Sequence, residues 1–234
     1  MGVANDFFVF DGVSSKDFGA LVSGYDTFNT PERDESTVDV PGRNGSLVID
    51  NGRWKNTSIA YKALIYKDFE RNYAELTNYF GSISGYHRLE DSIQPDVFRI
   101  ARRTGEIKQN MHGDYEACGF TITFDAKPQK YLKSGEKAIE LTAAGYVMNP
   151  TKYIALPLIR VYSAGTLQIG DDTLVISSVD DYVDIDCDLQ NAYKGAVNCN
   201  SNISGVFPKL TAGANNVLLN SISKIEIIPR WWTL

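Results

Sequence analysis

The chain has 234 residues, enough for one large domain or two smaller ones that each bury a core. At 43% hydrophobic and 12% aromatic it is too apolar for a disordered chain. Its formal net charge of −6 lacks the basic excess expected of a general nucleic-acid binder.

Other classes are disfavoured by pattern. Cys118, Cys187 and Cys199 are odd in number and far apart, which argues against a disulfide framework or a zinc site and fits a reducing compartment. No apolar run approaches the roughly 20 residues that span a bilayer, so no membrane partner is expected. Met1–Asp6 carries neither the basic nor the apolar stretch of a signal peptide.

In chain order, Phe7–Phe10 is a short apolar strand closed by the turn pair Asp11-Gly12. Thr37–Val40 alternates and runs into Pro41-Gly42-Arg43-Asn44-Gly45. Gly and Asn accept positive φ cheaply, so this stretch reads as a tight turn that Ser46–Ile49 leaves as the second arm of a hairpin. Thr57–Tyr66 alternates with Ile59, Tyr61, Ala63 and Ile65 on one face. Asp68–Phe80 is the one helix, with Asp68 as N-cap, Gly81 as terminator and Phe69, Tyr73, Leu76, Tyr79 and Phe80 as a core-facing stripe. Asp96–Arg102 and Glu116–Phe124 read as strands, the second with Cys118, Phe120, Ile122 and Phe124 inward.

Phe124–Leu132 and the polar residues after it mark a boundary. The expected division is an N-terminal domain over 1–132, a linker or first strand over 133–148, and a second domain over 149–234. Pro157 inside Tyr153–Tyr162 predicts an edge strand or a strand that starts after it. Thr166–Ile169 and Thr173–Ile176 flank Gly170-Asp171-Asp172 as a hairpin. Tyr182–Leu189 alternates, with Val183, Ile185, Cys187 and Leu189 in and Asp184, Asp186 and Asp188 out. Asn191–Asn216, with Gly195, Gly205, Pro208 and Gly213, reads as loop-rich, and Val217–Leu219 and Lys224–Ile228 as the last strands. Regular short strands between turns predict a β-sandwich for this half.

The side-chain chemistry nominates no catalytic centre. Asp184, Asp186 and Asp188 put three carboxylates on one strand face, but neighbours about 6–7 Å apart along a flat strand converge poorly on a calcium ion. A polar exposed face accounts for them. Arg99, Arg102, Arg103 and Lys108 form a basic cluster that suits a solvated face or an acidic partner better than phosphate. The two histidines, His87 and His112, lack a metal-ligand neighbour. Gly81-Ser82-Ile83-Ser84-Gly85 puts Ile83 where a nucleophile elbow needs serine. Trp231 and Trp232 point to opposite faces if extended, so at most one could join a sugar-stacking platform.

Several pieces, in order, resemble the distal tail protein family of siphophages. These are Phe8–Gly19, the turn with Pro41, Gly42, Arg43 and Gly45, and Arg88-Leu89-Glu90-Asp91 followed by Phe98-Arg99-Ile100-Ala101. They continue with Phe120–Phe124 and Pro128, Pro150, the run after Pro157, Ile185–Asp188, and the terminal Arg230-Trp231-Trp232. The resemblance implies a mainly β protein: a barrel- or sandwich-like N-terminal domain with one helix, and a C-terminal galectin-like β-sandwich. It implies a virion structural protein at the distal end of the tail, made in the host cytoplasm, with no enzymatic activity and no cofactor. Its implied partners are five copies of itself in a homohexameric ring, the tail-tube protein, the tail-associated lysin or fibre hub, and a receptor-binding protein at the C-terminal domain. DNA would pass through the ring without specific binding, past a neutral or acidic wall; Arg99, Arg102 and Arg103 are the residues most able to make that wall basic. The alternative is a galectin-like carbohydrate-binding protein that stacks sugar on Trp231 or Trp232. A third reading, a cell-wall hydrolase, finds no carboxylate pair to carry it.

Overall fold

The computed structural model describes residues 6–112 and 117–234. The expected start of a strand at Glu116, the Met1–Asn5 stretch and the side chain of His112 lie outside the described residues. The chain divides into two compact units, Met1–Lys130 and Tyr131–Thr233.

The first unit contains β1 (Phe8–Phe10), β2 (Val13–Ser14), β3 (Ala20–Tyr25), β4 (Arg33–Asp39), β5 (Ser46–Trp54), β6 (Thr57–Ile65), α1 (Phe69–Ser82), β7 (His87–Asp91), β8 (Val97–His112) and β9 (Ala117–Ala126). Seven of these strands pair in the order β2-β1-β7-β8-β9-β6-β3, open at both ends, so the sheet does not close into a barrel. The alternation along β6 and β9 is obeyed: Ile59, Tyr61, Ala63 and Ile65 are buried beside Cys118, Phe120, Ile122 and Phe124. Aromatic rings fill this core, with Phe8 stacked on Tyr61 at 4.9 Å between centroids and Phe10 against Phe124 at 5.0 Å. Helix α1 lays Leu76 and Phe80 on the sheet, and its Tyr79 hydroxyl donates to the Phe10 carbonyl at 2.8 Å.

Three local expectations change. Asp68 precedes the helix with φ 45° and makes no side-chain cap; Asn72 Nδ2 instead donates to the Lys67 carbonyl at 2.9 Å. Gly81 does not stop the helix, which runs to Ser82, because it sits there with helical neighbours and no positive φ. The strand expected over 96–102 continues to His112, carried through Gly105 at φ 68° by a bulge between Thr104 and Lys108.

After β10 (Lys130–Leu132), which begins on the last residue of the first unit, the second unit contains β11 (Ile139–Leu141), β12 (Gly145–Asn149), β13 (Leu158–Val161), β14 (Gly165–Ile169), β15 (Asp172–Ile176), β16 (Val183–Asp186), β17 (Asn191–Lys194), β18 (Val197–Asn198), β19 (Ile203–Gly205), β20 (Gly213–Asn220), β21 (Ile225–Ile228) and β22 (Trp232–Thr233). One sheet runs β11-β21-β13-β16-β17-β18 and the other β12-β20-β14-β15-β19. Ile159, Val161, Ile185 and Ile227 of the first share a core with Val147, Leu167, Leu174 and Val217 of the second, which makes a β-sandwich. Pro157 is buried directly before β13, and that strand is interior, between β21 and β16. The stretch expected to be loop-rich over 191–216 also supplies β17, β18 and β19 and the start of β20; the first three are too short to show alternation.

Candidate assembly surface

Strands β4 and β5 form a two-stranded sheet of their own. Their register pairs Ser36 with Ile49, Thr37 with Val48 and Val38 with Leu47. Strand alternation therefore gathers Val38, Leu47 and Ile49 on one face, and Thr37, Asp39, Ser46, Val48 and Asp50 on the other. The apolar face is uncovered: Val38 is 44%, Leu47 40% and Ile49 52% exposed. The polar face is internally satisfied. Arg33 donates Nε and Nη2 to Asp50 Oδ2 at 2.9 and 2.6 Å, and Ser46 Oγ donates to Asp39 at 2.6 Å. The ribbon turns at Gly42 (φ 79°) and Gly45 (φ 80°), values that favour glycine; Pro41 and Arg43 share this exposed tip. An isolated two-stranded hairpin is marginal in water. This ribbon pairs its own charges and leaves an aliphatic face open to solvent.

The root of the ribbon is fixed by a buried polar group. Thr27 Oγ1 and the Tyr61 hydroxyl both donate to Asp91 Oδ2, at 2.6 and 2.8 Å. The backbone amides of Ile93 and Gln94 donate to Asp91 Oδ1 at 3.0 and 2.8 Å. Arg99 is 5% exposed; it donates to Thr27 Oγ1 at 2.9 Å and to the Thr27 carbonyl. Burial, then Asp91, pushes the Tyr61 phenol well above its ordinary range, while burial draws the Arg99 guanidinium down. This network ties Thr27, at the entry to the ribbon, to β6, β7 and β8. No sequence signal pointed to Thr27, Tyr61 or Asp91 as a group, since they lie far apart in the chain.

The basic residues on β8 do not form a patch. Arg99 is inside; Arg102 pairs with Asp125 at 3.0 Å; Arg103 donates to the Gly105 carbonyl at 2.7 Å; Lys108 is exposed. Arg88 pairs with Glu90 and lies 3.7 Å from the Phe98 ring centroid. His87 contacts the Ser84 carbonyl at 2.9 Å and Asp11 at 3.1 Å, and both raise its pKa.

In the second unit the carboxylates of β16 are not exposed. Asp184 is 6% and Asp186 4% exposed, because β16 is an interior strand flanked by long cations. Arg160 grips Asp184 through Nε and Nη2 at 2.7 and 2.9 Å, and Arg230 grips Asp186 at 2.8 Å twice. Asp186 Oδ1 also accepts the amides of Asp188 and Leu189 at 3.0 and 3.2 Å, which turns the chain and leaves Leu189 exposed instead of inward. Burial raises the Asp186 carboxyl, but Arg230 and the two amides outweigh it and hold it below its ordinary value. Among the described residues no group of three or more His, Cys, Asp or Glu is placed to hold a metal ion. Trp231 is buried at 4% exposed, and Trp232 stacks on Tyr153 at 4.4 Å and donates Nε1 to the Ile154 carbonyl at 2.9 Å. Trp231 is thus part of the core, and one face of the Trp232 indole is taken by Tyr153. Pro128 follows β9 half-buried, and Pro150 sits exposed after β12. The nominated residues are thus spread over both units and do not converge on one site.

No family model matches the sequence, and no curated protein does. Solved structures do match. The Dit protein of phage SPP1, described as a paradigm of the hub adsorption apparatus in phages infecting Gram-positive bacteria, superposes with a TM-score of 0.77 at 14% identity, over 98% of this chain and 99% of that one. The chain has the fold of a phage tail hub protein. Chains of the phage p2 baseplate in its activated conformation, with strontium and with calcium, match at TM-scores of 0.55 and 0.56 and identities of 13% and 12%, over 95% of this chain and 96% of theirs. No helix among the described residues is long and apolar enough to cross a membrane.

Proposed function

We propose that this chain is a structural component of a phage tail tip: a distal tail protein that forms a homohexameric ring between the tail tube and the tail-associated lysin or fibre hub. The observation that carries the reading is the fold, shared along nearly the whole length with the SPP1 hub protein. The uncovered face of β4–β5 supports it, since a head-to-tail ring needs each copy to offer surfaces that its own core leaves open. In this reading the first unit makes the ring, the second docks a receptor-binding protein, and the role is non-catalytic. DNA passes through the ring unheld; the burial of Arg99 and the pairing of Arg102 with Asp125 support a wall without a basic lining. The chain would then reside at the distal end of the virion tail.

Light scattering across a concentration series tests the reading, first alone and then with the tail-tube protein co-expressed. A six-fold mass is expected. A single-copy mass at every concentration, with and without the tube protein, overturns it.

A further inference from the structure

The dipeptide Asn-Gly occurs twice in this chain, and both copies lie in the β4–β5 ribbon: Asn44-Gly45 at its turn and Asn51-Gly52 in its second arm. In such a pair the glycine amide nitrogen can attack the asparagine Cγ, because glycine has no Cβ to block the approach. All four residues are exposed. Both glycines have positive φ, 80° and 73°, and a Cβ built on either would meet nothing within 4 Å. Sequence and access therefore do not separate the two sites. Hydrogen bonding does.

At the second site both reacting groups are held. The Gly52 amide donates to Asp50 Oδ1 at 2.7 Å. The Asn51 side chain hydrogen-bonds to Asp34; Arg53 and, after it, Asn51 hold that carboxyl below its ordinary value. Asn51 and Gly52 also lie inside β5, between the ion pairs Arg33–Asp50 and Arg53–Asp34 at 2.6 Å each. An amide must give up its proton to attack, and one that donates to a carboxylate keeps it.

At the turn both groups are free. The Arg43 amide donates to the Val40 carbonyl at 3.1 Å, which closes a tight turn through Pro41 and Gly42 before Asn44 is reached. Among the described residues neither the Gly45 amide nor the Asn44 side chain has a hydrogen-bond partner, and neither residue belongs to a strand. The adjacent charge in sequence is the Arg43 cation, and a cation nearby favours a deprotonated amide.

We propose that Asn44 is a site of spontaneous deamidation and that Asn51, the same dipeptide in the same ribbon, is protected from it. The Gly45 nitrogen loses its proton to solvent and bonds to Asn44 Cγ. The Cγ–Nδ2 bond breaks, Nδ2 leaves as ammonia, and a succinimide ring remains. Water then adds to one of the two ring carbonyls and the C–N bond there breaks. The net change is one water taken up and one ammonia lost. One opening gives ordinary aspartate; the other gives a β-linked aspartate whose main chain is longer by one carbon. Either product adds one negative charge to the chain's formal −6, in a turn whose one charged side chain is Arg43. The reaction needs only the single chain and water.

The folded protein is incubated at mildly alkaline pH and sampled over time. Cleavage after lysine releases residues 17–55 as one peptide that holds both sites, and its fragment ions report each separately. A gain of about one dalton is expected at Asn44. It is expected on the order of tenfold faster than at Asn51, the factor that one charge-assisted hydrogen bond carries. In denaturant the two rates converge. Equal rates in the folded protein, a faster Asn51, or an Asn44 that converts only after unfolding overturns the assignment. Two variants sharpen the result. In Asp50→Ala, conversion at Asn51 is expected to rise several-fold and to stop short of its rate in denaturant; an unchanged rate overturns the protection ascribed to the Gly52–Asp50 bond. In Asn44→Gln, the acidic band that accumulates in the parent on isoelectric focusing is expected to vanish; a band that persists places the reaction elsewhere.

Discussion

The β4–β5 ribbon and strand β16 read alike in sequence and end in opposite surroundings. Both alternate apolar and acidic residues: Val38-Asp39 with Leu47 and Ile49 across the turn, and Val183 to Asp186 in the sandwich. In the ribbon the apolar face is left open and the acidic residues pair locally with Arg33 and Ser46. In β16 both faces are buried, and the carboxylates survive there because Arg160 and Arg230 each supply a two-pronged grip. Alternation therefore states that a strand has two unlike faces. It does not state what covers either one.

The comparison breaks most sharply at Asp186. Asp186→Ala leaves Arg230 without its partner and two backbone amides without an acceptor, and about 3 kcal/mol of stability is expected to be lost from the second unit. Chemical denaturation of the variant against the parent reads this directly. A loss below about 1 kcal/mol, the range of an exposed pair, means that β16 behaves like the ribbon after all.

Acid probes the same carboxylate more gently. Its folded pKa lies below the ordinary 3.8, so its contribution is complete above that value and fades as pH falls through the lower, folded value. The stability lost on acidification below about pH 4 is expected to shrink in Asp186→Asn. Equal acid sensitivity in the two proteins would place the linkage elsewhere.

On the ribbon the expectation reverses. Ile49→Asp and Val48→Asp are both expected to shift protomer stability by no more than about 0.5 kcal/mol, as exposed positions do. In the ring proposed above, Ile49→Asp is expected to abolish self-association and Val48→Asp, on the face with Asp39 and Asp50, to spare it; sedimentation of both variants measures the difference. Equal loss from the two would mean that the ribbon does not use one face.

The smallest effect is at His87. The Ser84 carbonyl and Asp11 raise its pKa, so the protonated ring favours the folded state at low pH, and that contribution fades as pH rises through the raised value. His87→Gln is expected to flatten a shallow slope in melting temperature just above about pH 6.5, more visibly at low salt. An identical slope in the variant removes His87 from the account.

Much of the fold was legible in order along the chain. The hairpin at Pro41–Gly45, the inward faces of β6 and β9, the start of β13 after Pro157 and the β14–β15 hairpin follow from glycine, proline and period-two patterning, which act over a few residues. Helix α1 was legible from its aromatic stripe, although not its cap, because Asp68 adopts a left-handed conformation that propensity does not foresee. The short strands β17 to β19 escaped, since two- to four-residue strands exist through their neighbours and not through their own pattern.

The sites divide in the same way. The sequence alone determined where this chain turns, which residues share a strand face and that its second half is a sandwich, because these depend on local backbone preference and side-chain period. Only the tertiary structure decided that Thr27, Tyr61, Asp91 and Arg99 meet, that Asp184 and Asp186 are buried, that Trp231 is core, and that the face of Val38, Leu47 and Ile49 is open. Burial and charge pairing are properties of what lies across a contact. The partners across these contacts stand far apart in the chain, Arg160 from Asp184 by 24 positions and Arg99 from Thr27 by 72, beyond the reach of any local pattern.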